Sequence, residues 1–213
     1  MKKILLLTGV LLSLGLFCAC SDDDELETDS YDPTYKVSYY NHDPGLNVKQ
    51  GYWVDDGFIE MVPLKKPPYY ILVKWSDEKG KEAIDYILEK NPGVVSKSAE
   101  MTINNEYRII TSKYFESPYF FVSSTYNSNE HYPGTLVLPQ IIIKMEDGKD
   151  VNTIEELYAS ELTLERKQNL KDMYLFNCNL KTSRDVLRLA AEISQHDLVQ
   201  WAEPNMYGIY IID

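Results

Sequence analysis

Few residues in this 213-residue chain have the type and spacing that covalent or ligand chemistry requires. Two of its three cysteines, Cys18 and Cys20, stand directly behind an apolar run from Ile4 to Phe17, itself preceded by Met1-Lys-Lys3. Fourteen residues fall short of the about 20 needed to span a bilayer, but suit the apolar region of a secretory signal peptide. An apolar run, a small residue (Ala19) and then Cys is the pattern of a bacterial lipobox, whose Cys is acylated and becomes the mature N-terminus. Cys20 is the candidate for lipidation, because bulky Phe17 precedes Cys18. An ordinary signal peptide with two incidental cysteines is the competing reading. With Cys20 acylated, Cys178 is the one thiol left, so no disulfide forms within the mature chain and a zinc cluster lacks a second thiolate.

The remaining candidates for chemistry are scattered. His42, His131 and His196 each stand outside any metal-ligand spacing, and Asp147-Gly-Lys-Asp150 lacks the further ligands of a calcium loop. Cys178 alternates with Tyr174 and Phe176, the pattern of a buried, inert thiol. The expectation is a protein without catalytic residues, cofactor or metal. Seventeen tyrosines and three tryptophans raise a different chemistry, the stacking of sugar faces on exposed rings, with Tyr52 and Trp53 as the candidate glycan-binding residues. Half-buried strands also favour aromatics, so core packing competes with that reading.

Charge narrows the partners. Removal of residues 1–19 takes away Lys2 and Lys3, leaving 19 basic against 33 acidic residues and a net charge of −14. Nucleic acid is thereby disfavoured, since phosphate binding needs a basic stripe. Adhesion to anionic lipid is disfavoured too, which leaves the acyl chains on Cys20 as the membrane link. Ser21-Asp-Asp-Asp-Glu25 repels itself and stays solvated as a tether. It also resembles the acidic export signal of Bacteroidota lipoproteins, which implies an outer-membrane lipoprotein exposed on the cell surface.

The elements that must position these residues follow from periodicity. Residues 20–50 are expected to be the lipidated acidic tether and an irregular lead-in segment, because they lack apolar periodicity and are rich in Asp, Asn, Pro and Gly. In 51–130, strands are expected at Phe58–Val62, Tyr69–Trp75, Tyr107–Thr111 and Tyr119–Tyr126. A helix is expected over Asp77–Lys90, with Ala83, Ile84, Ile87 and Leu88 at helical spacing and Asn91-Pro-Gly93 as its stop. The polar run Asn127–Gly134 is the expected boundary. In 131–213, strands are expected at Pro139–Met145, Leu162–Lys167, Met173–Cys178 and Leu198–Ala202. A helix opening on the capping box Thr153-Ile-Glu-Glu156 is expected between the first two. A second helix carries the stripe Val186, Leu187, Ala190 and Ile193. The expected fold class is α+β, with two packed subdomains, the C-terminal one a ferredoxin-like βαββαβ unit.

Three segments carry a family resemblance: Asn179-Leu-Lys-Thr-Ser183, Val186-Leu-Arg-Leu-Ala-Ala-Glu-Ile193 and Val199-Gln-Trp-Ala-Glu-Pro-Asn205. They resemble the end of the N-terminal propeptide of subtilisin-like serine peptidases, in the version found in Bacteroidota. Tyr52-Trp53, Val62-Pro-Leu64 and Tyr69-Tyr-Ile-Leu72 are similar to the opening of the same regions. The resemblance implies an inhibitor-type domain that lays its sheet on the peptidase and sends its C-terminal tail into the substrate cleft by β-augmentation. The candidate protein-binding tail is Met206, Tyr207, Ile209, Tyr210, Ile211, Ile212 and Asp213, though Ile209–Ile212 also fits a last β-strand. Asn205 stands where the family has an acidic residue. The chain carries no Asp-Thr-Gly, His-Gly-Thr-His or Gly-Thr-Ser motif. The expectation is therefore a non-enzymatic surface lipoprotein that inhibits or assists a subtilisin-like peptidase in trans. The alternative is a glycan-binding or accessory protein of a surface uptake system.

Overall fold

The computed structural model describes residues 28, 30–54, 57–91, 93–97, 105–127, 134–168 and 170–208. The signal peptide, Cys20 and the acidic run 21–25 lie outside them.

The lead-in segment, expected to be irregular, holds the hairpin of β1 (Ser30–Asp32) and β2 (Val37–Tyr40). It is followed by a separate two-stranded ribbon of β3 (Gly51–Val54) and β4 (Gly57–Glu60). Then come β5 (Val62–Pro63), β6 (Tyr69–Lys74) and α1 (Glu78–Lys90). Asp77 Oδ1 accepts from the Gly80 amide at 2.8 Å and so caps α1, one of the first-turn amides that the helix itself leaves open. After α1 run β7 (Val94–Lys97), β8 (Glu106–Thr111), β9 (Tyr114–Glu116) and β10 (Phe121–Asn127). The rest of the chain is β11 (Thr135–Met145), α2 (Val151–Leu157), β12 (Leu162–Lys167), β13 (Met173–Cys178), α3 (Ser183–Ile193) and β14 (Val199–Gly208). Helix α2 starts earlier than the expected capping box. Asp150 takes the cap by accepting from the Asn152 amide at 3.0 Å, which places Thr153 inside the helix.

Nine strands join in one sheet, in the order β12-β13-β11-β10-β6-β8-β7, with β14 on β11 and β5 on β10. All its neighbouring strands are antiparallel. This corrects the expected α+β fold of two packed subdomains with a self-contained ferredoxin-like βαββαβ unit. Among the described residues the chain is mostly β, 46% strand against 19% helix, built as a large curled sheet with three helices. The strands of 131–213 do not close on themselves. Thr135 and Leu136 at the start of β11 pair with Tyr126 and Thr125 of β10, and later residues of β11 pair with β13. The run 127–134 therefore joins two hydrogen-bonded strands of one sheet. A polar, turn-rich break has the same composition whether the chain leaves for a new domain or doubles back, so patterning could not tell the two apart.

Two cores lie on opposite faces of this sheet. Successive residues of a strand point to opposite sides, and Phe121 joins the core under α2 and α3 while Val122 joins the core under α1. Strand β6 divides in the same way, Leu72 to the first core and Ile71 and Val73 to the second. A smaller sheet, β1-β2-β9, adds Val37, Tyr40, Tyr114 and Phe115 to the core of α1.

Candidate functional site

The lead-in segment is tied to the main sheet by a buried polar network. Asp43 accepts from the Gly45 amide at 2.7 Å through Oδ1 and from the Ser124 hydroxyl through Oδ2. Gln50 Nε2 donates to the Gly45 carbonyl at 2.9 Å, and the Tyr126 hydroxyl donates to Gln50 Oε1 at 3.2 Å. Tyr126 Oη and Ser183 Oγ share a hydrogen bond of 2.7 Å, and Ser183 Oγ also accepts from the Ser124 amide at 3.3 Å. One connected set thus links the 43–50 loop, β10 and the first turn of α3. Buried polar groups are costly unless each finds a partner. The matching is what sets the loop in a single position.

Beside this network the Arg184 guanidinium donates to Glu116 Oε1 at 2.7 Å. Burial works to lower the Arg184 pKa, but the Glu116 carboxylate outweighs it and holds the guanidinium protonated. Burial pushes the carboxyls of Asp43 and Glu116 above their ordinary range. It is opposed at Asp43 by the Ser124 and Gly45 hydrogen bonds, and at Glu116 by Arg184.

The loop held in this way forms one wall of a cleft of about 350 Å³, within the range of small-ligand sites. Residues 48–51 and Phe58 face Arg184, Arg188 and Ala191 of α3 across it. Arg184, Arg188 and Ala191 are spaced i, i+4, i+7, so one stripe of the helix is turned to the cleft. Gly51 is required at the open end of the ribbon, where it pairs with Glu60. A Cβ there would lie 2.0 Å from the Ile59 carbonyl oxygen and 2.8 Å from the Phe58 ring. Phe58 packs in a T-shaped pair with Trp53 at 5.3 Å between centroids, and Lys49 Nζ lies 4.9 Å from its centroid. Asp185, the carboxylate on the cleft wall, accepts from the Thr182 hydroxyl at 2.7 Å.

The residues expected from sequence are not all brought together. Tyr52 is half-buried against the core of α3, its hydroxyl pKa raised by burial and then by Glu203, and Trp53 is half-buried on Phe58. Both belong to the ribbon that borders the cleft. Of the candidate tail, Met206 and Tyr207 lie in β14, paired with Val137 and Leu136. Ile209, Tyr210, Ile211, Ile212 and Asp213 lie outside the described residues, as do Cys20 and His131. Burial pushes the Cys178 thiol up to about 12. Cys178 lines a separate cavity of about 130 Å³ with Trp75, Phe120 and Pro139. His196 Nδ1 accepts from the Leu198 amide at 3.3 Å, and His42 is exposed. Among the described residues no group of three or more His, Cys, Asp or Glu could hold a metal ion.

Sequence reasoning missed Lys49, Phe58, Arg184 and Arg188 as a group. The i, i+4 arginines were visible, but an ordinary solvated helix face has the same spacing. Comparison with known proteins adds no relative: no family model, no curated protein and no solved structure matches the chain.

Proposed function

We propose that this chain is a non-enzymatic binding protein, held at the cell surface by lipid on Cys20, and that it engages a protein partner at the cleft between the β3–β4 ribbon and α3. The observation that supports the reading is the cleft itself, whose wall is positioned by a buried hydrogen-bonded network and left open to solvent. Networks of this kind position a binding surface at low entropic cost on association. Val48 on its rim is 47% exposed and the neighbouring Ile59 is 37% exposed, apolar side chains that a partner would cover.

A subtilisin-like peptidase is the partner that the propeptide resemblance implies. In that version the inserted tail narrows to residues 209–213, because 206–208 pair with 135–137. Five extended residues reach about 17 Å, enough for a few subsites. The glycan alternative rests on Tyr52 and Trp53, and it has less support. One ring is half-buried against the core, and the other packs on Phe58.

A peptide-display selection against the folded chain, without its signal peptide, tests the reading. Peptides that bind and lose affinity on Phe58→Ala are the expected result. Selection of no such peptide, with glycan-array binding that is lost on Trp53→Ala, would replace it by the alternative. Inhibition of a subtilisin-like peptidase, abolished by deleting residues 209–213, would identify the peptidase as partner.

A further inference from the structure

Resting on the protein-binding reading, we propose that the cleft recognises an acidic peptide segment, in which a carboxylate side chain meets Lys49 and Arg188 and an adjoining apolar side chain enters between Val48, Phe58 and Ala191.

Charge carries the first half of the inference. The chain has a formal net charge of −12, yet Lys49, Arg184 and Arg188 converge on one cleft that, among the described residues, holds a single carboxylate, Asp185. Asp185 is engaged by the Thr182 hydroxyl and Arg184 by Glu116, so neither is the readiest contact for a ligand. Lys49 and Arg188 are the exposed cations. Among the described residues Arg188 has a loose solvent-exposed contact, 3.7 Å to Glu192, its side chain 62% exposed and that of Glu192 54%. Exposed pairs of this type contribute little, so a ligand carboxylate can take the place of Glu192 at little cost. The excess negative charge elsewhere on the protein is screened beyond about 10 Å at 0.1 M salt. Local cations therefore decide what binds.

Shape carries the second half. About 350 Å³ accepts one or two side chains rather than a folded surface. Its walls combine apolar Val48, Phe58 and Ala191 with cations at the rim, which matches an apolar residue next to an acidic one. A sugar is served less well. Stacking needs an open ring face, and Phe58 already has Lys49 over its ring and Trp53 against it in a T-shaped pair.

Fluorescence anisotropy on the full chain without its signal peptide tests the proposal. The probes are a labelled hexapeptide containing Asp-Leu-Glu, its Asn-Leu-Gln counterpart, a Lys-Leu-Lys counterpart, and a labelled oligouronate. The acidic peptide is expected to bind about tenfold more tightly than the amide peptide, the effect of one charge-assisted hydrogen bond. Arg188→Glu and Lys49→Glu are each expected to lower its affinity by about tenfold or more. Lys66→Glu changes the net charge equally, does not line the cleft, and should leave affinity within about twofold. Equal binding of the acidic and amide peptides, or equal loss in all three variants, overturns the acidic selectivity while leaving the protein-binding reading in place. Binding of the labelled oligouronate with no peptide binding overturns both. Absence of binding by every probe overturns the proposal.

Discussion

Arg184 Nη1 donates to Glu116 Oε1 at 2.7 Å across 68 positions of chain, and each side chain is only 16% exposed. The pair joins the first turn of α3, which faces the cleft, to β9, which belongs to the small β1-β2-β9 sheet. It therefore clamps together parts of the protein with separate hydrogen-bonded frameworks.

The clamp has an asymmetric energetic signature. Glu116→Leu strands a buried guanidinium and is expected to cost about 3–5 kcal/mol, whereas adding Arg184→Met restores most of the loss, because an apolar pair has no charge to desolvate. Urea denaturation of the two single variants and the double variant measures this. Additive losses in the double variant would show that the pair is not an isolated buried couple.

Stability should rise on mild acidification. Asp43 and Glu116 have folded-state pKa values raised, by burial, above their ordinary values of 3.8 and 4.5. Glu203 is raised by burial as well. For such groups the stabilising contribution is complete below the ordinary value and is lost as pH climbs through the raised one. The melting temperature is therefore expected to increase as pH falls from 7 toward the ordinary carboxylate values of 3.8 and 4.5. Asp32, lowered by hydrogen bonds from Thr34 and Tyr86, and Asp147, lowered by Lys171, act in the opposite direction below that window. Asp43→Asn has no proton to take up and should flatten the rise in a melting series, and an unchanged slope would exclude Asp43 as a contributor.

Cys178 should be nearly silent in the folded protein. Its thiol, pushed up to about 12 by burial, is almost wholly protonated at pH 8. Only the thiolate attacks a disulfide reagent. Reaction with an aromatic disulfide reagent is expected to accelerate by about a hundredfold or more in guanidinium chloride, where the thiol returns to its ordinary pKa near 8.5. Equal rates in the two conditions would place the sulfur at the surface.

Local signals carried through to structure where a single element decided its own state. Met173–Cys178 alternates and is β13, and the helical stripes around Ala83–Ile87 and Val186–Ile193 are α1 and α3. Thr182 caps α3 by accepting from the Asp185 amide at 3.3 Å. Strands β1, β2 and β9 escaped notice because they are three or four residues long, too short for a period of two to stand out. Pairing with one another gives them their form, and that pairing joins residues 38–40 to 114–116.

The candidate site divides along the same line. Tyr52 and Trp53 could be picked from sequence because residue type alone nominates a ring. Lys49, Phe58, Arg184 and Arg188 could not, since their chemistry exists only once the 43–50 loop is drawn onto α3 by Asp43, Gln50, Tyr126 and Ser183. Each of those four is an unremarkable polar residue in its own neighbourhood.

The sequence by itself determined the acidic character of the chain and the types of most of its elements. These depend on residue identity and on spacings of a few positions. Only the tertiary structure decided that the two halves form one curled sheet instead of two domains, that β14 continues to Gly208, and that three cations share a cleft. Those outcomes depend on which strand edge meets which. Antiparallel pairing satisfies the same backbone groups whichever partner it finds, so the choice is made by burial on both faces of the sheet. That sum runs over the whole chain, and no short window of residues contains it.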